Sequence, residues 1–307
     1  MSRVRPPRLR PGSTVAVVAP SGPVDAALLA AGVAELESWG LRVRVGAHVL
    51  DRHPTLPYLA GTDADRAADF QRAWCDPAVS AVICARGGYG AQRVLDLLDW
   101  HELAAAAPKV FVGSSDATCL HDAIGARLGV VTLFGPMIAG TLFDAEARAH
   151  LRATLFEPEG VSRLTGPRTA TAGHGVARGV TVGGNLSLVV GELGVAGTDA
   201  NRAPDGAIVL LEDVTEAPYR VDRMLTQLLR AGWFTGVSGI ALGSWERCGD
   251  LAAVSAVVED LLGGLGLPMV WELGFGHCPG QLTVPLGVDA VLDADDGTLT
   301  VVGAALA

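Results

Sequence analysis

Short, almost entirely apolar runs alternate with helical patterns over the first half of this 307-residue chain, and this alternation restricts the fold most. Runs of β-type residues cover 13–19, 41–45, 79–85, 110–112 and 130–134. Segments whose apolar residues have helical spacing lie between them, at 26–39, 62–75, 90–100 and 118–128. A strand with almost no polar residue is typical of a parallel sheet that helices cover on both faces. The pattern predicts the α/β class, with an open, mostly parallel, doubly wound sheet.

The pattern changes between residues 156 and 179, where prolines and glycines interrupt any long helix. At roughly 100–200 residues per domain, two domains are expected. We predict an N-terminal doubly wound domain at 1–160, a linker at 161–175 and a smaller α/β domain at 176–307. In the second half we predict strands at 207–211, 239–242, 269–271 and 281–285, helices at 217–231 and 251–262, and a hairpin over 289–302.

Composition excludes several classes of protein. A formal net charge of −10, with no basic cluster among aromatic residues, argues against a nucleic-acid-binding surface. There is no run of 18 apolar residues for a membrane span and no secretory leader pattern, so we expect a cytoplasmic protein that does not bind membranes. The five cysteines are odd in number and form no C-x-x-C pair, which favours free thiols over disulfides or a zinc site.

The segment VFVGSSDA at 110–117 predicts a strand, a sharp turn and then a helix. A serine on such a turn projects from the end of a sheet at the start of a helix, where free N–H groups can hold an oxyanion. Gly113 and Ala117, two positions before and after Ser115, leave room for a cramped turn. Ser115 is therefore a candidate nucleophile. Because Ala117 replaces the last glycine of the G-x-S-x-G pattern, an ordinary Ser/Asp helix cap is the alternative.

A serine nucleophile needs a base, and His277 is the strongest candidate. It lies in the loop GFGHCPG at 274–280, where glycines and a proline favour a tight turn that fixes the imidazole. His121 lies on the same predicted helix as Ser115, too far round it to reach back. His101 and His150 lie in polar segments that we expect to be at the surface.

The base in turn needs an orienting acid, and Glu212 closes the apolar run 207–211. A carboxylate at the end of a buried strand is costly unless it is paired, which makes an imidazolium partner plausible. Asp213 and Glu216 compete for this role, and strand alternation does not choose between Glu212 and Asp213.

Two glycine-rich turns are candidates for close approach of the backbone to a ligand. The first, RGGYG at 86–90, follows a strand but does not match the dinucleotide pattern G-x-G-x-x-G. Gly88 could instead bring its peptide N–H close to a substrate carbonyl because it has no side chain. The second is GGNL at 183–186, for which an ordinary loop before a helix is the alternative.

Together these motifs resemble the LD-carboxypeptidase A family of serine peptidases, which includes the murein tetrapeptide carboxypeptidases and the microcin C immunity peptidases. The segments that carry the resemblance occur in family order: VAVVAPSG at 15–22, ARGGYG at 85–90, GSSD at 113–116, FGPM at 134–137, GGNL at 183–186, LEDV at 211–214 with YRVDRM at 219–224, and GFGH at 274–277.

The resemblance implies a triad of Ser115, Glu212 and His277, and an oxyanion hole formed by the N–H groups of Asp116 and Gly88. It also implies substrate contacts, which we expect from Arg86, Gly87, Ser114 and Asn185. The implied fold pairs a flavodoxin-like domain with a smaller, strand-rich α/β domain. It is usually dimerised, the site lies between the domains, and no metal or organic cofactor is needed.

The implied function is hydrolysis, through an acyl-enzyme, of the amide bond between an L-centre and the terminal D-amino acid of murein tetrapeptide in cell-wall recycling. Two alternatives remain. One is an immunity-type peptidase that cleaves aminoacyl or peptidyl conjugates of nucleotides, and the other is a non-catalytic module that binds a small ligand. Ser114 stands where relatives often have an aromatic residue and Phe134 where a histidine is frequent, so both are expected near the cleft.

Overall fold

The computed structural model describes residues 3–195 and 203–307, which form two β-sheets with flanking helices. This confirms the predicted α/β class. The first sheet contains five parallel strands, β1 (Thr14–Val18), β2 (Arg42–Val45), β3 (Val79–Cys84), β4 (Val110–Gly113) and β5 (Thr132–Phe134), in the order β5-β4-β3-β1-β2.

Both faces of the first sheet are buried, as its apolar strands predict. Along β3, Ala81 and Ile83 pack into one core while Val82 and Cys84 pack into the core on the opposite face. The helices of this half are α1 (Ala26–Ser38), α2 (Asp63–Cys75), α3 (Ala91–Leu95), α4 (Trp100–Ala105), α5 (Thr118–Leu128) and α6 (Ala145–Phe156).

The segment predicted as one helix over 90–100 is instead two short helices. The helix α3 ends at Leu95, and α4 begins at Trp100 because the Asp99 carboxylate accepts the N–H groups of His101 and Glu102. An aspartate that caps a new helix start competes with continuation of the previous helix.

The second sheet has eight strands and lies in the C-terminal half. They are β6 (Arg163–Leu164), β7 (Ala170–Gly173), β8 (Val176–Asn185), β9 (Ile208–Glu212), β10 (Gly239–Leu242), β11 (Met269–Trp271), β13 (Asp289–Asp293) and β14 (Thr298–Val301), in the order β6-β14-β13-β8-β9-β10-β11-β7. The four central strands, β8 to β11, are parallel, and the flanking strands are antiparallel. The helices α7 (Leu186–Gly191), α8 (Pro218–Arg230) and α9 (Leu251–Leu262) belong to this half.

Two features of the second half differ from the sequence pattern. The strands β6 and β7 lie within the predicted linker 161–175 and pair at the two edges of the second sheet. The strand predicted over 281–285 is β12 (Val284–Leu286), which pairs antiparallel with β5 and so completes the first sheet. The domain boundaries themselves stay a prediction.

The pairing of β12, from the second half of the chain, with β5 of the first sheet is one of several contacts that hold the two halves together. The rings of Phe134 and Phe275 meet edge to face, with centroids 6.0 Å apart. Among the helices that the structure describes, none has the length and apolar character needed to span a bilayer.

Candidate active site

The turn that carries Ser115 is cramped and strained. Residues Ser115–Ala117 form a single 3-10 turn between β4 and α5, so the predicted strand, turn and helix are all present. Ser115 has φ of 55°, in the left-handed region that residues with a side chain rarely adopt. A Cβ added to Gly113 would lie 2.9 Å from the Cβ of Ala117, which explains why both positions carry small residues.

The glycine turn after β3 lies against this serine. A Cβ added to Gly87 would lie 3.2 Å from Ser115 Oγ, so only glycine leaves the hydroxyl free on that side. Within residues 3–195 and 203–307, neither the N–H of Gly88 nor that of Asp116 donates a hydrogen bond. Both donors lie on the segments that flank Ser115.

The side chain of Asp116 has a different task from its backbone. It is buried, and its Oδ2 accepts the N–H of Ala91 at 2.8 Å, which ties the start of α3 to the serine turn. Burial raises the pKa of this carboxyl.

Glu212 and His277 form a close pair on the other side of the site. The Nδ1–H of His277 donates to Glu212 Oε2 at 2.7 Å, and the backbone N–H of His277 donates to the same oxygen at 3.2 Å. Burial acts to lower the pKa of His277, but the charge of Glu212 and its hydrogen bond outweigh burial and raise the pKa above its usual value. The pair leaves Nε2 of His277 free to exchange a proton.

The loop at 274–277 is shaped by the acid that it covers. Gly276 has φ of +93°, and a Cβ added there would lie 2.4 Å from Glu212 Oε2. Glycine at 276 is therefore required for the backbone to close over the carboxylate, as the tight turn in the sequence indicated.

The structure distinguishes the three acid candidates. Glu212 faces His277, whereas Asp213 accepts hydrogen bonds from Ser187 and from the N–H of Val214. Burial, and then the charge of Glu212, raise the pKa of Asp213 to about 6. Glu216 is half-buried and accepts from Arg220 one helical turn away.

Asn185, which we predicted to contact substrate, is buried beside the acid Glu212. Its side-chain amide is buried and donates to Glu212 Oε1 at 3.2 Å and to Asp213 Oδ1 at 3.1 Å. Its side-chain oxygen accepts from Ser187 and from the N–H of Leu188. The amide therefore holds the two neighbouring carboxylates apart.

Thr118 connects the serine turn to the end of β8. Its hydroxyl donates to the carbonyl of Ser115 at 2.7 Å and accepts the N–H of Asn185 at 3.0 Å. One side chain therefore bonds both the nucleophile turn and the residue that orients Glu212.

Ser115 and His277 line one cavity of about 720 Å³ between the two halves of the molecule. It is also lined by Arg86, Gly87, Gly88 and Ser114, whose contacts with substrate stay a prediction. Further lining residues include Asp25, Thr215, Arg247 and Gln281. Within the described residues Ser115 Oγ makes no hydrogen bond to His277, and such bonds commonly tighten only when substrate binds. Sequence reasoning missed Arg247 and Gln281, although Arg247 follows a parallel strand, β10, whose carboxyl end faces the ligand side of the sheet.

Three other residues considered in the sequence analysis, Phe134, His121 and His150, do not line this cavity. Phe134, expected near the cleft, is fully buried between the sheets and tilts against His121. Burial lowers the pKa of His121 to about 4, and this neutral ring donates from Nε2 to the carbonyl of Gly113. His150 is half-buried rather than solvated and accepts the N–H of Thr283.

In the part of the chain that the structure describes, His48, Asp51 and Asp65 form a group close enough to share a metal ion. The group is partly exposed and does not line the cavity, and His48 Nδ1 already contacts Asp51 at 2.8 Å. The cavity chemistry is that of a serine, an imidazole, a carboxylate and backbone donors.

The comparisons with known proteins identify the family of this chain. Residues 15–135 match the LD-carboxypeptidase N-terminal domain, and residues 178–292 match the LD-carboxypeptidase C-terminal domain. The protein SCO6489 of Streptomyces coelicolor is 59% identical over 97% of this chain and 96% of its own length. The murein tetrapeptide carboxypeptidase of Pseudomonas aeruginosa is 33% identical over 92% of this chain and 93% of its own length.

Solved structures show the same fold. The muramoyltetrapeptide carboxypeptidase of Oxalobacter formigenes has a TM-score of 0.78 and 29% identity, covering 93% of this chain and 97% of its own. The microcin immunity protein MccF, in complex with glutamyl sulfamoyl guanosine, has a TM-score of 0.86 at 23% identity, covering 99% of both chains. The chain therefore belongs to the LD-carboxypeptidase family of serine peptidases.

Proposed function

We propose that this protein is a serine LD-carboxypeptidase that removes the terminal D-amino acid from murein tetrapeptide, with Ser115, His277 and Glu212 as nucleophile, base and acid. The observation that carries the proposal is the pairing of Glu212 with His277 across one cavity from a serine held at positive φ. A buried carboxylate on Nδ1 fixes the tautomer in which Nε2 can accept a proton.

In the acylation half-reaction, His277 Nε2 takes the proton of Ser115 as Oγ attacks the carbonyl carbon of the scissile amide. The N–H groups of Asp116 and Gly88 stabilise the oxyanion, an interaction worth about 3 kcal/mol per donor. His277 then gives the proton to the amine of the departing D-amino acid, and the C–N bond breaks.

In the deacylation half-reaction, water takes the place of the departed amine. His277 accepts a proton from this water as its oxygen attacks the ester of Ser115, and the same backbone donors hold the second oxyanion. The proton returns to Ser115 Oγ, which releases the shortened peptide with a new carboxylate.

The proposed substrate class draws its support from the relatives and from the charge of the cavity. Relatives at 33% identity include the murein tetrapeptide carboxypeptidase of Pseudomonas aeruginosa. On a chain of net charge −10, two arginines and one aspartate line the cavity, which favours an anionic peptide over a cationic one.

The test is release of free D-alanine from an L,D-linked murein tetrapeptide by the wild type beside Ser115→Ala. We expect release by the wild type and a loss of at least about 10⁴-fold in the variant, with unchanged folding. Equal release by a folded Ser115→Ala variant would overturn the assignment of the nucleophile. No release by a folded wild type would overturn the substrate, and aminoacyl sulfamoyl adenosines would then be tried.

A further inference from the structure

One of the two arginines that line the cavity has no partner among the described residues. Arg247 lies in the loop after β10, is exposed, and lines the cavity together with His277. Its φ of 58° places it in the left-handed region. Thr215, whose N–H donates to the carbonyl of Glu246, the residue before Arg247, has φ of 62° and lines the same cavity. Within residues 3–195 and 203–307, Arg247 forms no ion pair and no side-chain hydrogen bond.

A second unpaired donor, the side-chain amide of Gln281, lines the same cavity. Gln281 is only 3% exposed, and its Nε2 has no hydrogen-bond partner within the described part of the chain. A buried amide donor without a partner is costly, and proteins retain such groups mainly where a ligand or water completes the bond. Arg247 and Gln281 therefore offer an anion-binding cation and a buried donor to the same space.

The other arginine of the cavity is differently placed. Arg86 precedes Gly87, the glycine against Ser115 Oγ, and its Nη1 donates to the carbonyl of Pro23. Arg86 is therefore anchored in the half of the molecule that carries Ser115, whereas Arg247 lies in the half that carries His277.

The chemistry of the reaction decides which side must recognise a C-terminal carboxylate. In the proposed mechanism His277 protonates the nitrogen of the departing amino acid. That nitrogen and the terminal carboxylate are bonded to the same carbon, so the carboxylate lies close to His277. The charge of Arg247 acts on His277, opposing the rise of its pKa, which agrees with a short separation between the two groups.

We infer that Arg247 and Gln281 form the subsite that binds the terminal carboxylate of the substrate and thereby restrict cleavage to the last residue of a peptide. The inference rests on the proposed carboxypeptidase function. A guanidinium presents paired N–H donors that match a carboxylate. A substrate that ends in a neutral carboxamide would leave the charge of Arg247 uncompensated.

The test compares two peptides that differ only at the C-terminus, one ending in D-alanine and the other in D-alaninamide. The wild type is expected to prefer the free acid by about 100-fold in kcat/KM, mostly through KM. Arg247→Ala is expected to lose about 10- to 100-fold on the acid and little on the amide, so that the preference collapses. Arg247→Lys restores part of it. Arg230→Ala, an exposed arginine at the end of α8, keeps the wild-type preference.

Gln281→Leu distinguishes a substrate-binding role of Gln281 from a structural one, because leucine fills a similar volume without the unpaired donor. It is expected to weaken kcat/KM on the acid by about 5- to 20-fold without lowering the melting temperature. A structural role for Gln281 would instead lower the melting temperature and affect both peptides equally.

The outcomes separate the two claims. If the wild type releases nothing from either peptide, the proposed function fails. If the wild type is active and Arg247→Ala retains its preference for the free acid, the carboxylate subsite is overturned while the carboxypeptidase stands.

Discussion

The two sides of the site are built in different ways. The serine side, the part of the site around Ser115, is local, since β4, the strained turn and the start of α5 are contiguous in the chain. The glycine turn that contains Gly87 packs against it. The acid–base side is assembled from three distant segments, with Asn185 at the end of β8, Glu212 at the end of β9 and His277 in the loop after β11.

The two sides also differ in the kind of free-energy cost that their local structure carries. On the serine side the cost is conformational, a residue with a side chain held at φ of 55°. On the acid–base side it is electrostatic, because Glu212 and Asp213 are adjacent carboxylates with 0% and 2% exposure. Hydrogen bonds from Asn185 and His277 offset that burial. Substitutions should therefore act mainly on backbone strain on one side and on charge and proton transfer on the other.

The largest effect is expected for Glu212→Gln, which removes the charge and nearly preserves the volume. We expect kcat to fall by about 10⁴-fold, because the imidazolium formed in the reaction loses its stabilising carboxylate. The pKa of His277 should also fall, since the Glu212 charge is what raises it against burial. The pH at which kcat/KM reaches half its plateau should therefore move to lower pH.

A stability measurement provides the control for Glu212→Gln. A histidine whose folded pKa lies above its unfolded value of 6.5 adds stability below that value, and loses it as pH rises through the folded pKa. The difference in unfolding free energy between wild type and Glu212→Gln should thus be larger near pH 6 than near pH 8. An unchanged pH midpoint for activity would contradict the assigned pairing.

The next largest effect is expected for Gly276→Ala. The added Cβ would lie 2.4 Å from Glu212 Oε2 at a φ of +93°, so the loop must move away from the carboxylate. We expect kcat/KM to fall by about 10²- to 10³-fold and the unfolding free energy to fall by about 1–3 kcal/mol. Gly264→Ala is the matched control, because a Cβ there meets nothing within 4 Å, and its activity should equal that of the wild type.

A smaller effect is expected for Thr118→Val, which tests the connection between the two sides. Valine keeps the shape but loses the bonds to the carbonyl of Ser115 and to the N–H of Asn185. We expect a loss of about 10-fold in kcat and about 1–2 kcal/mol in stability, because the Asn185 N–H is left unpaired. Thr118→Ser retains the hydroxyl and should keep most of the wild-type kcat and stability. Equal losses in the two variants would argue against a role for the hydrogen bonds.

The smallest effect is a stability difference between two inactive variants. Ser115→Gly should be more stable than Ser115→Ala by about 0.5–1 kcal/mol, because glycine adopts φ of 55° without steric cost. Denaturant unfolding of the two purified variants measures it. A more stable alanine variant would show that the turn is not strained.

The contrast between the two sides also explains what the sequence could predict. The serine turn was predictable because strand, small residues and helix follow one another, and each acts on its neighbours. The choice between Glu212 and Asp213 was not, because it depends on how β9 pairs with β8, which brings Asn185 opposite Glu212. A contact set by the register of two distant strands leaves no local pattern.

Long-range pairing accounts for the other differences as well. The apolar run before β13 reads as a strand, but nothing in it indicates that β12 joins β5 in the first sheet. The strands β6 and β7 are short, and only one of their residues, Thr171, is β-branched. Their strand conformation comes from pairing with the hairpin strand β14 and with β11. Arg247 was missed because a single arginine in a loop has no sequence pattern of its own.

The most direct test of the central claim is labelling with a fluorophosphonate, read by mass spectrometry of the intact protein and its peptides. We predict one adduct, on the peptide that contains Ser115. Labelling should be at least about 10²-fold slower in His277→Ala and Glu212→Gln, and absent in Ser115→Ala. Labelling of a different serine, or equal rates in wild type and His277→Ala, would contradict a site assembled from the two halves of the chain.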